Sequence, residues 1–373
     1  MNTGSWDLDD LKQPPKKAWL ESGGPVKALT YSGEPYRGKP TSIFAYYATP
    51  ESVGQDGVPA MVLVHGGGGA AFEVWAKMWA ERGYAALAMD LSGRDGQGER
   101  MEDGGPEQDE KSKFHDIALG VEEAWPYYTA AAVMRGVSML ASMPEVDEER
   151  IGITGISWGG YLTSLVIGLD DRLGCAVPVY GCGFLHNNSA WMPTFAGMPT
   201  DDRNLWVEIF DPSAYLSQAQ MPILWINGTN DFAYPLDSYQ LSYREPGSPR
   251  KLCVTVRMPH GHEPGWAPKE IGAFADSCFK GGAAMPSISN LTKDGQSVSA
   301  SFESAKPIVS AELCYTCDDA GWSEKHWESM VAAVESDRVT ARLPQELPLA
   351  YFLTITDAEG MTISTEHEMG VGG

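Results

Sequence analysis

The stretch Gly155-Ile156-Ser157-Trp158-Gly159-Gly160 sets a serine between two glycines at G-x-S-x-G spacing, directly after the apolar run Ile151-Gly152-Ile153-Thr154. A short buried strand before such a serine and an apolar helix after it (Tyr161 to Leu169) form the setting in which its hydroxyl becomes a nucleophile. The strand-to-helix turn lifts Ser157 Oγ clear of the backbone, and the helix N-terminus supplies positive potential beneath it. Gly155 and Gly159 omit the Cβ atoms that would collide where strand and helix approach. With 41 glycines in the chain the pattern could arise by chance, so the reading leans on the partners that follow it in order.

A serine that attacks an acyl carbon needs a base, an acid to orient that base, and donors for an oxyanion. Met61-Val62-Leu63-Val64 reads as a buried strand running into His65-Gly66-Gly67-Gly68-Gly69, whose glycines let a backbone N–H face a developing negative charge. Gly67 or Gly68 is expected to supply one donor and the N–H of Trp158 the other. His65 reads as a structural residue under the loop. Downstream, the strand Pro222-Ile223-Leu224-Trp225-Ile226 ends in Asn227-Gly228-Thr229-Asn230-Asp231, and Asp231 at its carboxyl end is the expected acid. Its competitor, Asp237, lies beyond Pro235 at the next helix start. The strand Leu252-Cys253-Val254-Thr255-Val256 leads to Arg257-Met258-Pro259-His260-Gly261-His262-Glu263. His262 is the expected base, because a preceding glycine suits a turn that aims the ring back at Ser157. His260 then supports it or faces substrate. His326 and His367 read as surface residues.

Composition bounds the rest. A net charge of −23 argues against nucleic acid and anionic membrane surfaces as partners, and its simplest reading is solubility. The run Glu99 to Glu110 holds six acids and reads as a solvated loop, with no calcium-binding spacing. Cys175, Cys182, Cys253 and Cys278 sit in apolar sequence as free thiols, and Cys314-Tyr315-Thr316-Cys317 has no second pair to make a zinc ribbon. A local disulfide there stays open. No metal or organic cofactor is called for. No segment reaches the roughly 20 apolar residues that span a bilayer, and Met1 to Asp10 is too polar for a signal peptide. Localisation and oligomeric state are left undetermined.

The elements that must carry these residues alternate. Residues 1–24 read as a loosely ordered arm, and Val26–Tyr31 with Thr41–Ala48 as a hairpin. Strand 61–64, helix 73–82, strand 84–89, helix 127–142, strand 151–154 and strand 175–180 then predict a mostly parallel sheet covered by helices. Residues 181–206 interrupt the pattern as a lid-like insertion. Trp191, Met192, Phe195, Met198 and Trp206 mostly pack it down, with one or two free to line a pocket. A helix over 268–279 closes this domain (1–283). Residues 284–373 change to short alternating runs at 297–303, 308–315, 338–343, 349–356 and 361–365, the pattern of a small antiparallel β-sandwich of immunoglobulin-like type.

With those residues placed, the chain resembles the α/β-hydrolase superfamily, and within it the acetyl xylan esterases and the dipeptidyl-aminopeptidase-like serine hydrolases of the prolyl oligopeptidase clan. Val146 to Gly160, Gly228-Thr229-Asn230-Asp231 and Gly261-His262 carry the likeness, which extends over roughly residues 40–280. Gly93-Arg94-Asp95-Gly96-Gln97-Gly98 resembles the Arg-Gly-Gln-Gly segment of carbohydrate deacetylases, and His262-Glu263 their His-Glu pair. Asp95 interrupts the first motif, Trp158 replaces a glutamine, and the C-terminal β-domain is extra. The resemblance implies an α/β-hydrolase fold and a serine carboxylesterase that removes acetyl groups from carbohydrate esters. A peptidase is the alternative. It is disfavoured because only sixty residues precede Met61, too few for the β-propeller that gates such peptidases. A non-catalytic binding protein is the remaining rival, with Trp322 and Trp327 as sugar platforms or simply packed residues.

Overall fold

The computed structural model describes residues 4–20, 24–346 and 349–370. Its main sheet is built from β1 (Lys17–Trp19), β2 (Val26–Tyr36), β3 (Lys39–Ala48), β4 (Val58–Val64), β5 (Ala85–Met89), β6 (Val146–Ile156), β7 (Leu173–Val179), β8 (Ile223–Gly228) and β9 (Arg250–Thr255). They lie in the order β1-β2-β3-β5-β4-β6-β7-β8-β9. The first three are antiparallel, and from β5 to β9 every neighbour is parallel. A parallel sheet buries both faces, so its strands read as apolar runs rather than alternating ones. Ala60 to Val64 and Ala85 to Met89 are buried without a break. The helices are α1 (Leu8–Leu11), α2 (Glu73–Glu81), α3 (Trp125–Ala141), α4 (Trp158–Val166), α5 (Met192–Gly197), α6 (Thr200–Phe210), α7 (Leu236–Arg244), α8 (His262–Trp266) and α9 (Lys269–Phe279). Because parallel strands all point one way, the loops after β4, β6, β8 and β9 meet at one sheet edge, which is where an α/β sheet collects a site.

The expected loose arm is corrected over its described part. Trp6 stacks on Tyr127 at 5.6 Å and donates its Nε1–H to the Tyr127 carbonyl at 3.0 Å, Leu11 is buried, and β1 adds an edge strand to β2. Residues 1–3 and 21–23, which include part of the Gly23-Gly24 turn, lie outside the described residues.

Beyond Met285 the chain forms two antiparallel five-stranded sheets. One holds β10 (Ser287–Ile288), β11 (Thr292–Asp294), β12 (Ser297–Glu303), β15 (Ala333–Glu335) and β16 (Arg338–Arg342). The other holds β13 (Ile308–Thr316), β14 (Glu328–Val331), β17 (Ala350–Asp357), β18 (Thr362–Ser364) and β19 (Glu368–Met369). Their inward residues, among them Val298, Val339, Leu313 and Leu353, join the apolar core of the large sheet. Polar contacts reinforce that seam. Glu366 is gripped by Arg244 and Arg250, the Val254 N–H donates to Ser364 Oγ at 3.0 Å, and Glu270 accepts the Thr362 N–H at 2.8 Å. His367, expected at the surface, lies inside this seam. Burial drives its pKa down to about 4, so it stays neutral. Trp327 is likewise buried against Phe352, which rules it out as a sugar platform, while Trp322 stays half-buried beside Lys325 and His367.

Candidate active site

Strand β6 ends at Ile156 and α4 begins at Trp158, so one residue makes the whole turn. That residue, Ser157, takes φ 59° and ψ −118°, a backbone region that costs a non-glycine residue about 1–3 kcal/mol. It is held there by its N–H on the Val179 carbonyl and by its own carbonyl accepting the Tyr161 N–H, each at 2.9 Å. The crossing is tight. A Cβ on Gly155 would come within 2.1 Å of the Gly159 carbonyl oxygen, and one on Gly159 within 1.9 Å of that of Val64.

The structure brings Asp231 and one histidine to this serine. Asp231 is buried at the end of β8, its Oδ1 accepting the N–H groups of Ala233 and Tyr234 at 2.9 and 2.8 Å. Its Oδ2 meets His260 Nδ1 at 2.6 Å, and His260 Nε2 meets Ser157 Oγ at 2.9 Å. An ionised carboxylate only accepts, so Nδ1 carries the proton and Nε2 is free to accept from Ser157. Tyr180 lies against the His260 ring at 4.4 Å and Phe232 at 4.8 Å, which fixes the ring plane. Asp237 is elsewhere, accepting from Asn188 Nδ2 at 2.8 Å.

The expectation of His262 as the partner of Ser157 is therefore corrected to His260. Two features decide it. Arg257 adopts a left-handed φ of 53° and donates its N–H to Thr229 Oγ1 at 3.0 Å, which ties the β9 turn to the β8 turn and delivers His260 to Asp231. Gly261, whose flexibility was expected to aim His262, is extended at φ 171°, and the chain then enters α8. His262 points instead to the loop after β4, where its Nε2 accepts the Gly66 N–H at 3.0 Å beside Phe72. Burial, with His65 and His260 nearby, pushes its pKa down to about 4, so it accepts as a neutral ring.

That bond separates the glycines of the loop. Gly66 is buried, with its N–H committed to His262. Gly67 lies against Trp158, where an added Cβ would sit 3.2 Å from the indole Cδ1. Gly68, at φ 68°, has open space around it. Of the two expected loop donors, Gly67 is the one next to Trp158, whose own N–H opens α4 and has no acceptor within the helix. His65 lies under the loop, its Nε2 accepting the Leu91 N–H at 2.9 Å and its Nδ1 donating to the Gly66 carbonyl at 2.8 Å. Burial lowers its pKa and keeps it neutral.

The walls are aromatic. Trp191, from the insertion, packs at 4.4 Å from Trp158 and 5.2 Å from Tyr234, while Phe195, Met198 and Trp206 are buried beneath it. Lys113 projects its Nζ over the Trp158 ring at 4.8 Å. Burial lowers its pKa to about 8 against the opposing pull of Asp109 and Glu110. Lys113, Tyr180 and Phe232 escaped the sequence reading, because an isolated Lys, Tyr or Phe carries no spacing signal. Among the described residues no cluster of His, Cys, Asp or Glu suits a metal, no helix is long and apolar enough to cross a membrane, and the cysteines, the 314/317 pair included, are free.

Comparison with known proteins bears on this geometry. The family model for acetyl xylan esterase (AXE1) matches residues 25–223. Curated relatives include the acetyl esterase Axe7A of Xylanibacter ruminicola, 22% identical over 59% of this chain and 52% of that protein. The uncharacterized peptidase YuxL of Bacillus subtilis is 23% identical over 56% of this chain and 31% of its own length. The chain thus spans about half or less of the curated relatives it matches. Two solved structures share the fold. Acetyl xylan esterase from Paenibacillus sp. R4 has a TM-score of 0.61 at 20% identity, covering 73% of this chain and 92% of that one. Acetyl xylan esterase 1 from Thermoanaerobacterium sp. JW/SL YS485 has a TM-score of 0.57 at 18% identity, covering 74% and 95%.

Proposed function

The chain belongs to the acetyl xylan esterase family, and from that premise we propose a serine carboxylesterase that removes short acyl groups, acetyl first, from carbohydrate esters. The observation that carries this reading is the continuous contact from Asp231 through His260 to Ser157. Ser157 Oγ attacks the ester carbonyl while its proton passes to His260 Nε2. Asp231 holds the Nδ1 tautomer and steadies the imidazolium that forms. The N–H groups of Trp158 and Gly67 receive the oxyanion, each such donor contributing about 3–4 kcal/mol to the barrier reduction. His260 then protonates the leaving alcohol, and a water that it activates cleaves the acyl-enzyme.

A short acyl group is favoured by Trp158, Trp191 and Tyr234, whose rings stand within 4.4 and 5.2 Å of one another beside the nucleophile. The test is Ser157→Ala with p-nitrophenyl acetate and acetylated xylan. Hydrolysis should vanish while the circular dichroism spectrum is unchanged, and surviving turnover contradicts the proposal. Aminoacyl-p-nitroanilides assayed in parallel distinguish a peptidase, which would cleave the anilide and leave acetylated xylan intact.

A further inference from the structure

One set of polar contacts beside the triad has no role in the chemistry above, and it comes from the C-terminal sheets. The loop from Asp318 to Trp327, between β13 and β14, lies against both turns that supply the acid and the base. Asn230, the residue before Asp231, donates its Nδ2 hydrogens to the carbonyls of Lys325 at 2.7 Å and Ser323 at 3.1 Å. Its Oδ1 accepts from Thr229 Oγ1 at 2.8 Å, the same hydroxyl that receives the Arg257 N–H. Arg257, a few residues before His260, donates its Nη2 to His326 Nδ1 at 2.7 Å and to the Trp327 carbonyl at 3.3 Å. The loop is itself held in shape. The Asp318 carboxylate accepts the N–H groups of Ala320 and His326, and its carbonyl accepts the Lys325 ammonium.

We propose that this loop is a positioning element of the active site, acting through Asn230 and Arg257 as positioning residues to hold Asp231 and His260 at bonding distance. Thr229 ties the two turns to each other, and the loop ties each of them to one ordered body. Arg257 has the greater need of it. Its left-handed backbone, φ 53°, is a conformation that a non-glycine residue keeps where its surroundings hold it, and the two bonds of its guanidinium supply that hold. A triad is exacting in this respect, because a displacement of about 1 Å from outside the site can cost about 100-fold in rate. Glu366 joins the same sheets to Arg244 and to Arg250, at the end of β9 away from the histidine turn, so it docks them without touching either catalytic turn.

Positioning by the loop rests on the esterase reading for its substrate, and the experiment separates the two. Asn230→Ala cuts the hold on the acid turn. With p-nitrophenyl acetate, kcat and kcat/KM should fall together by about tenfold with KM within about twofold, the mark of a loss felt at the transition state. Labelling of Ser157 by a fluorophosphonate should slow by a similar factor, and the low-field proton signal of His260 Nδ1 should shift or broaden. His326 is exposed and touches no triad member, yet His326→Ala should lower kcat about threefold or more. His326→Asn, whose Oδ1 can accept from Arg257, should restore it. Glu366→Gln should leave the kinetic and labelling rates at wild-type values. Wild-type rates in either Asn230→Ala or His326→Ala overturn the proposal. So does an equal slowing in Glu366→Gln, which would make the loop a docking contact alone, or a His326→Asn no faster than His326→Ala. If Asn230→Ala does not fold, the His326 pair and Glu366→Gln decide. A wild-type enzyme that hydrolyses no ester overturns the esterase reading, while the labelling rates still decide the role of the loop.

Discussion

Two histidines stand two residues apart, and exchanging their roles gives opposite outcomes on mutation. His260→Ala removes the imidazole in contact with both Ser157 and Asp231, so kcat should fall about 10⁴-fold or more, the usual effect of losing a triad base. It should also cost about 1–3 kcal/mol of stability, because the buried Asp231 carboxylate loses the donor to its Oδ2. His262→Ala leaves the buried Gly66 N–H without its acceptor, which costs about 1–3 kcal/mol in unfolding free energy. It also frees the loop that holds Gly67, so kcat should drop only about tenfold, part of a full oxyanion donor. His262→Gln, whose amide oxygen can accept, should recover some of both.

The pH dependence follows with a definite sign. The folded pKa of His262 is near 4 and lies below its ordinary 6.5, so the unfolded chain takes up the proton first. Its contribution is complete above pH 6.5 and is lost as the pH falls from 6.5 toward 4. After discounting for partial exposure this is about 1–2 kcal/mol. Steady-state kinetics with p-nitrophenyl acetate and urea unfolding at pH 7 and pH 5 read all of these quantities. If His262→Ala loses more activity than His260→Ala, or if the stability of His262→Ala falls with pH as steeply as that of the wild type, the assignment is refuted.

Other expectations follow from the walls. Lys113→Met should stabilise the protein by about 1–2 kcal/mol at pH 7: a pKa near 8 means the charged form is disfavoured on folding, and the lost cation–π contact with Trp158 offsets part of the gain. That gain is complete below pH 8 and fades between pH 8 and 10.5, which thermal unfolding at pH 7 and 10 would reveal. Trp191→Ala opens the wall beside Trp158 and Tyr234, so the butyrate-to-acetate ratio of kcat/KM should rise about tenfold. Glu366→Gln weakens the hold of Arg244 and Arg250 across the seam and should lower stability by about 3 kcal/mol, with acetate kcat unchanged.

The sequence made the fold legible where one period dominated. Ala85 to Met89 and Met61 to Val64 are unbroken apolar runs ended by turn residues, and both are central parallel strands. The serine turn was legible because glycine is required by the contacts at 155 and 159, and those contacts are local. The histidine choice depended on how the β8 and β9 turns lock together through Arg257 and Thr229, a contact between residues 28 positions apart that no local pattern encodes. The strands at 292–294, 328–331 and 333–335 are exposed on every residue and carry no alternation, so nothing in the residues marked them. The arm misled for a different reason. Its Pro and Gly content suggests disorder, but Trp6 and Leu11 find a seat only once α3 exists.

The most direct measurement is covalent. Treating the wild type, His260→Ala and His262→Ala with a fluorophosphonate and mapping the adduct by peptide mass spectrometry asks which serine is activated and by which ring. A single adduct on Ser157, formed in His262→Ala within about tenfold of the wild-type rate and nearly abolished in His260→Ala, is the predicted result. An adduct on another residue, or labelling of Ser157 that persists without His260, would contradict it.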